Sequence, residues 1–483
     1  MNRKLFQTLG VMFLLLSMIL TACATPSAPT EVAPEEPVAT EEAMPEEPVA
    51  TEEAMPEEPA ATEEAAPEET AAPEEGEMFE AMSVSAPDCD YGGLFKTIEA
   101  VDELTVRFEM CAPDPAFPSK IAFSAFAIQP MEHLEAVGGG GDLLEQPIGT
   151  GPYMVDDWKR GDELVYTAFA DYWGDPANEP TLVFRWSSEA AQRLLELQAG
   201  TVDGIDNVGP EDFETVQNDP NLQLLVRPAL NIFYVGMNNT YEPFNNELVR
   251  QAIAMGIDRQ RIVDNFYPPG SEVASHFTPC SIPNACEGDA WWEFNPERAR
   301  ELLAEAGFPD GFDTEIAYRD VVRSYLPQPG VVAQDLQAQL AENLNINAEI
   351  VVMESGAFIA AADAGELPGL HLLGWGADYP DMTNFLDFHF GAGASQQFGD
   401  KFDDITAALI DGAALADDAA RQPHYEAANN AIRTHVPMVP IAHGGSAVAY
   451  RAVVENPHVS PLGNEFFADM SVPDQEIFVW MQN

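Results

Sequence analysis

The sequence predicts a mixed α/β protein with at least two lobes. Three observations carry this. Beyond residue 77, stretches of strand-like alternation interleave with helical segments that bring their own caps and stops. No run of strands is separated from a run of helices, which favours mixed α/β layers over segregated ones. The chain has 483 residues, more than a single core fills.

The opening reads as a secretory leader. Arg3 and Lys4 give a positive start, and residues 11–20 give an apolar stretch too short to span a bilayer. Leu20-Thr21-Ala22-Cys23 reads as a lipobox, in which small residues admit a signal peptidase and Cys23 takes lipid. The protein is therefore expected outside the cytoplasm, held to a membrane by lipid. Residues 24–77 form a low-complexity tether. An eleven-residue unit of glutamate, proline and small residues runs from Glu35 to Pro45 and again from Glu46 to Pro56. Two prolines per unit forbid a continuous helix, so the expectation is an extended, self-repelling spacer.

The formal net charge is −60, from 81 acids and 21 bases. Eighteen of the acids are glutamates of the tether, so the folded part is strongly acidic as well. Such a field repels nucleic acid and favours neutral or cationic ligands. An acidic coat that serves only solubility explains the charge equally well.

Residues 101–110 alternate, with Leu104, Val106, Phe108 and Met110 on one side, and predict a strand. Gly138 to Gly141 lacks the Lys and Ser/Thr of a phosphate cradle and reads as a connection. Residues 188–199 predict a helix capped by Ser187 or Ser188 and stopped by Gly200. Residues 232–237 predict a buried strand, and residues 246–255 a helix with Val249, Ala252 and Ile253 on one face. Asn295-Pro296-Glu297 starts another helix, ended by Gly307. Residues 346–352 alternate again.

With Cys23 assigned to lipid, Cys89, Cys111, Cys280 and Cys286 remain. An even number outside the cytoplasm suggests two disulfides, and local spacing favours Cys280–Cys286 and Cys89–Cys111. There is no Cys-x-x-Cys and no His-Glu-x-x-His, so no metal is expected. No catalytic set emerges either: Gly-x-Ser-x-Gly is absent, and acid pairs such as Asp156-Asp157 and Asp417-Asp418 are adjacent in sequence, where side chains diverge. The binding signal is Gly374-Trp375-Gly376-Ala377-Asp378-Tyr379-Pro380-Asp381. It follows the apolar strand residues His371-Leu372-Leu373. In such a loop Trp375 can stack on a ligand and Asp378 can hold a cation, or Trp375 is core and Asp378 a turn residue.

Several stretches resemble the extracytoplasmic solute-binding proteins of peptide and nickel ABC importers, family 5. They are Pro147-Ile148-Gly149-Thr150-Gly151-Pro152-Tyr153, Trp158-Lys159-Arg160-Gly161, Asp171-Tyr172-Trp173-Gly174, and Leu197 to Gly204. Pro243-Phe244-Asn245-Asn246, Val249 to Ile253, and Ile257-Asp258-Arg259 complete the series. Their order and spacing, more than any one of them, carry the likeness. The resemblance implies a two-lobed clamp of the periplasmic-binding-protein type that closes about a hinge. The first lobe is expected over residues 78–275, the second over 276–460, and a return to the first over 461–483. It implies a monomer that captures a small solute, most simply a peptide, and delivers it to ABC permease subunits without cofactor or catalysis. Relatives also carry nickel chelates and sugars. Asp378 matches the position that holds a peptide's α-ammonium, and Trp375 the tryptophan beside it. Members normally carry further sequence before the strand at 101–110, so an incomplete first lobe is expected, with apolar residues left uncovered or covered by a rearranged subdomain. A lipoprotein hydrolase would instead need an acid pair or nucleophile whose loss stops turnover. A surface scaffold or adhesion protein would show no cleft that closes.

Cys23 is the one attachment point in this reading. Cys23→Ser is expected to move the protein from the membrane fraction to the soluble fraction. Retention of that variant in the membrane would refute attachment by lipid alone.

Overall fold

The structure, a computed structural model, describes residues 79–482. Cys23, with the leader at 1–23 and the tether at 24–77, lies outside the described residues. Three sheets organise the fold. Strands β1 (Met82–Ser85), β2 (Phe95–Asp102) and β3 (Thr105–Met110) make a small antiparallel sheet. The chain then lays down β4 (Tyr153–Lys159), β5 (Glu163–Ala168), β6 (Thr181–Trp186), β7 (Gly204–Ile205) and β8 (Leu222–Arg227). It leaves that sheet to build a second from β9 (Asn231–Met237), β10 (Glu272–Val273), β11 (Asp313–Arg319), β12 (Asn347–Met353), β13 (Leu370–Gly376) and β14 (Met438–His443). It returns with β15 (Ser446–Arg451) and β16 (Ile477–Gln482). The seven-stranded sheet has the order β4-β5-β6-β16-β7-β15-β8, and the six-stranded one β10-β14-β9-β13-β11-β12.

The passages between the large sheets therefore lie at residues 228–230 and 444–445, not near 275 and 460. The strand at 232–237 was read correctly as buried, since every residue of β9 is buried, but it is central to the second sheet. Periodicity gives burial, not sheet membership. For the same reason Cys280–Cys286 is a local link, six residues apart, within the part of the chain that builds the second sheet, and does not fall in a passage between the sheets.

Each large sheet buries its faces by simple alternation. In β15, Ala447 and Ala449 face the helices Ala190–Ala199 and Phe213–Asn218, while Val448 and Tyr450 join Phe478 and Trp480 on the other side. The second sheet and its helices share one large core. Several motif residues are scaffold. Asp203 accepts from Arg451 Nη1 (2.7 Å) and from the Val479 N–H (2.8 Å), pinning β7, β15 and β16 together. Gly204 follows because a Cβ there would sit 2.7 Å from the Tyr450 ring. Arg250 gives its guanidinium to the carbonyls of Phe244, His435 and Val436, and Arg259 gives its own to Ala274, Trp292 and Pro440. Asn246, Asp258 and Asn295 cap their helices through side-chain oxygens.

Two predicted bounds shift. The strand at 101–110 is two strands: Asp102 Oδ1 accepts the Leu104 N–H (2.9 Å), making a turn that ends β2 and starts β3. The helix at 188–199 begins at Ala190, because Ser187 Oγ takes the Glu189 N–H and holds that residue outside the helix.

The small sheet has two unlike faces. Val84, Ile98 and Phe108 stand in register across it, as do Met82, Ala100 and Val106. The opposite face carries Ser83, Glu99 and Arg107, with Arg107 paired to Glu99. The structure joins Cys89 to Cys111 at this sheet, with Cα atoms 5.5 Å apart. Phe117 stacks against the apolar face, on Phe95 and Phe108. Val84 is 76 % exposed, Val106 59 % and Leu104 96 %. Among the described residues no helix is long and apolar enough to cross a membrane.

Because those side chains bury little area, replacing them should leave the fold intact. Val84→Thr, Leu104→Thr and Val106→Thr together are expected to reduce binding of an apolar fluorescent dye, while each changes stability by no more than about 0.5 kcal/mol. Unchanged dye binding would show that this face is covered in solution.

Candidate functional site

The two crossings form the floor of a cleft. At the second, the Asn231 side chain takes the place of a strand partner: its Nδ2 donates to the Gly444 carbonyl (2.7 Å) and its Oδ1 accepts the Gly444 N–H (2.8 Å). His443 Nδ1 lies 2.6 Å from the Asn231 carbonyl. Gly444 is required by a close approach, since a Cβ there would stand 2.2 Å from the Ser324 carbonyl oxygen. That approach brings the turn 323–326 to the cleft. The turn closes by Leu326 N–H to the Arg323 carbonyl (2.9 Å) and is held from below by Tyr267, whose hydroxyl donates to the Tyr325 carbonyl (2.7 Å).

Two cavities adjoin along the cleft, and a third opens beside the loop after β13. One of about 260 Å³ lies over the crossings and is lined by Asp206, Arg227, Asn231, Arg323 and Ala377 among others. One of about 960 Å³ shares Asn207, Arg323 and Ser324 with it and extends past Arg193 and Glu211. A third, of about 460 Å³, starts at the next residue of the same loop, Asp378. Its far wall is Leu94, Ala112, Pro113, Asp114 and Lys120, which follow from the small sheet and its first helix.

The loop after β13 is braced by Asn384. Its Oδ1 accepts both the Trp375 indole N–H (3.1 Å) and the Asp378 N–H (3.0 Å), and its Nδ2 donates to Asp378 Oδ2 (3.2 Å). Thr383–Asp387 is a π-helical turn, a form that recurs at functional sites, and it sets Asn384 and Asp387 on the loop side. Asp381 anchors the far end through a two-pronged pair with Arg421 at 2.8 and 2.9 Å. Desolvation works against that pairing, yet Arg421 and the Thr383 N–H hold the Asp381 carboxyl below its ordinary value. Asp378 thus faces the third cavity with one carboxylate oxygen braced. Trp375 is not among the residues lining these cavities. Its ring stacks on Phe388 at 4.1 Å, and Phe388 does line the third cavity.

Three arginines line the first two cavities. Arg193 is spent on the carbonyls of Ser187, Asp206 and Asn207. Arg227 is buried and paired with Asp206 (2.9 Å) and Glu465. Arg323 is exposed, donates Nη1 to the Val322 carbonyl (2.9 Å), and has no carboxylate partner among the described residues. Sequence reasoning missed it. The available signal was a lone cation in a loop after a strand, within a chain of only 21 bases.

His276, Cys280 and Cys286 lie close enough to hold a metal, but the structure joins the two sulfurs as a disulfide, leaving one imidazole. The cleft thus offers a half-buried carboxylate, an unpaired guanidinium and open volume between two lobes.

The sequence profile of the bacterial extracellular solute-binding proteins, family 5 Middle, matches residues 70–397. Among curated relatives, di/tripeptide-binding protein 1 of Pseudomonas aeruginosa is 31 % identical over 78 % of this chain and 71 % of its own length. Heme-binding protein A of Haemophilus influenzae is 29 % identical over 78 % of this chain and 70 % of its own. Among solved structures, the ABC transporter-associated periplasmic binding protein DppA of Helicobacter pylori, in complex with the peptide STSA, is 27 % identical. It superposes with a TM-score of 0.70 over 78 % of this chain and 74 % of that one.

Asp387 also lines the third cavity, with its Oδ2 buried and unpartnered. Burial, and then the charge of Asp381, push its carboxyl up to about 7. A carboxyl raised above its unfolded value contributes stability that is full below the unfolded value and is lost as pH rises through about 7. Asp387→Asn is therefore expected to raise the melting temperature at about pH 8 and to leave it nearly unchanged at about pH 4. The same shift at both values would refute a desolvated charge at this position.

Proposed function

The chain belongs to family 5 of the bacterial extracellular solute-binding proteins, and from that premise we propose that it captures a short peptide and hands it to an ABC permease. Members of this family bind and deliver; they are not enzymes. The observation that carries the peptide reading is the pairing of Asp378 with Arg323 along one cleft. A peptide is a zwitterion, with an ammonium at one end and a carboxylate at the other. Asp378 takes the ammonium, and Arg323, free of any acid, takes the carboxylate. The cavity over the crossings adds neutral groups, the Gly376-Ala377 backbone, Asn231 and the loop at residues 461–463, together with Arg227 and Asp206, whose charges are paired to each other. Trp375 contributes through Phe388, whose ring it backs, and through Asn384, which it shares with Asp378.

Capture proceeds by closure about the two crossings. The ligand favours the closed form only by contacts that both lobes make together. Lipid attachment at Cys23 keeps the protein outside the cytoplasm and beside its permease, working as a monomer. The lobes are residues 79–227 with 446–482, and residues 231–443. A heme reading, which one relative's name raises, has less support, since no aromatic-walled slot with a free imidazole lines the described cavities.

Asp378→Asn keeps the shape of the loop and removes the charge. Losing one partner of a desolvated ion pair costs about 2–5 kcal/mol, so affinity for a dipeptide should fall by about thirtyfold or more. Stability without ligand should change little, because Asn suits a turn as Asp does. Calorimetric titration of the same dipeptide into both proteins decides the matter, and equal affinities would remove Asp378 from the site.

A further inference from the structure

The cavity beside Asp378 holds one more carboxylate than an amino terminus needs. Asp114, Asp378 and Asp387 line it, with Lys120 as the cation. Lys120 is taken by Asp114 at 2.7 Å. Asp378 has the Asn384 amide on one oxygen and, in the peptide reading, the ligand's ammonium on the other. Asp387 has no such partner on Oδ2, which is buried without a hydrogen bond. A buried polar atom left in that state is costly, and a position that tolerates it invites a donor from outside.

The charged and titratable groups that face Asp387 do not supply that donor. Asp381 comes from its own turn, Arg421 and Tyr425 from the helix Asp418–His435, Tyr379 from the loop, and Lys120 from the helix Phe117–Ile121. Arg421 is committed to Asp381 and Tyr425, and Lys120 to Asp114. Both facing cations are therefore engaged. The lining that Asp378 and Asp387 share also carries apolar side chains, among them Leu94, Pro113 and Phe388. A methylene stem lies well on such surfaces, with its charged head beyond them.

We infer that Asp387 selects ligands whose first residue carries a second cation, a lysyl or arginyl side chain beside the amino group held by Asp378. The inference rests on the peptide reading above and deepens it to basic amino-terminal residues. It also predicts a proton linkage. The empty site holds the Asp387 carboxyl near 7, and a ligand cation lowers it, so binding expels a proton below that pH. Affinity for a basic ligand then rises with pH until the free carboxyl is ionised.

The test compares lysyl-leucine with norleucyl-leucine, which keeps most of the stem and lacks the second ammonium. Calorimetry on the wild-type protein at about pH 7.5 should give the lysyl peptide an advantage of about tenfold or more. That ratio should grow from about pH 5 to about pH 8 and collapse toward one in Asp387→Asn. Equal affinities in the wild-type protein would overturn this inference and leave the peptide reading standing. A ratio retained in Asp387→Asn would also overturn it, by moving the preference to another group. Failure of both dipeptides to bind would overturn the peptide reading and this inference with it.

Discussion

The reciprocal pair between Asn231 and Gly444 is the contact on which the cleft depends. Two lobes that must move against each other can share few strands, and here the chain passes between the large sheets at 228–230 and 444–445. Passage breaks the ladder, and each buried backbone group left unpaired would cost about 1–3 kcal/mol. The Asn231 amide offers one donor and one acceptor to Gly444 and so closes the ladder with a side chain. A side-chain pair of this kind satisfies the backbone without adding strand width that would stiffen the joint. On the first-lobe side Arg227 ends β8 by pairing with Asp206 and Glu465. Glu465 in turn accepts the Ser460 N–H (2.8 Å), which fixes the start of the loop that lines the cleft.

Signature residues and ligand-facing residues serve different ends. Asp203, Arg250 and Arg259 are acids and bases that look chemical in sequence, yet all three close backbone or strand-end contacts. In the proposed reading the ligand's charges fall to residues outside that signature. Asp378 and Arg323 sit on loops that follow β13 and β11, neighbouring strands running parallel in the second sheet. Parallel neighbours deliver their C-terminal loops to the same edge, so a carboxylate and a guanidinium far apart in sequence reach one cleft.

Much of this was legible before any coordinates. The helix start at Asn295, the buried strand at 232–237 and the alternation at 346–352 follow from local spacing and chain chemistry. Three things were not. The break at Asp102 needed one side-chain oxygen to choose its neighbour's N–H over solvent. The crossings needed knowledge of which sheet a buried strand joins, and β9 is as apolar as a strand of either sheet would be. Arg323 needed the tertiary approach of Ser324 to Gly444, which no window of sequence contains. Asp378 stood out because glycine, tryptophan and tyrosine surround it. Asp387, inside the run Phe385-Leu386-Asp387-Phe388, carries no such marker, and only the cavity wall distinguishes it.

The acidity of the whole chain gives those few groups their context. A net charge of −60 sets up a field that falls off over about 8 Å at physiological salt, so it acts on arriving solutes mainly at the rim of the cleft. A peptide with a basic first residue is drawn by that field, whereas one without charged side chains carries no net charge and feels little pull from it. Its two ends feel opposite forces, which favour approach with the ammonium foremost. Inside the cleft the short-range groups take over, and they must include a cation, because an acidic wall alone would expel the carboxylate. In the peptide reading Arg323 meets this requirement: Arg193 and Arg227, which line the same cavities, are already committed to holding the fold.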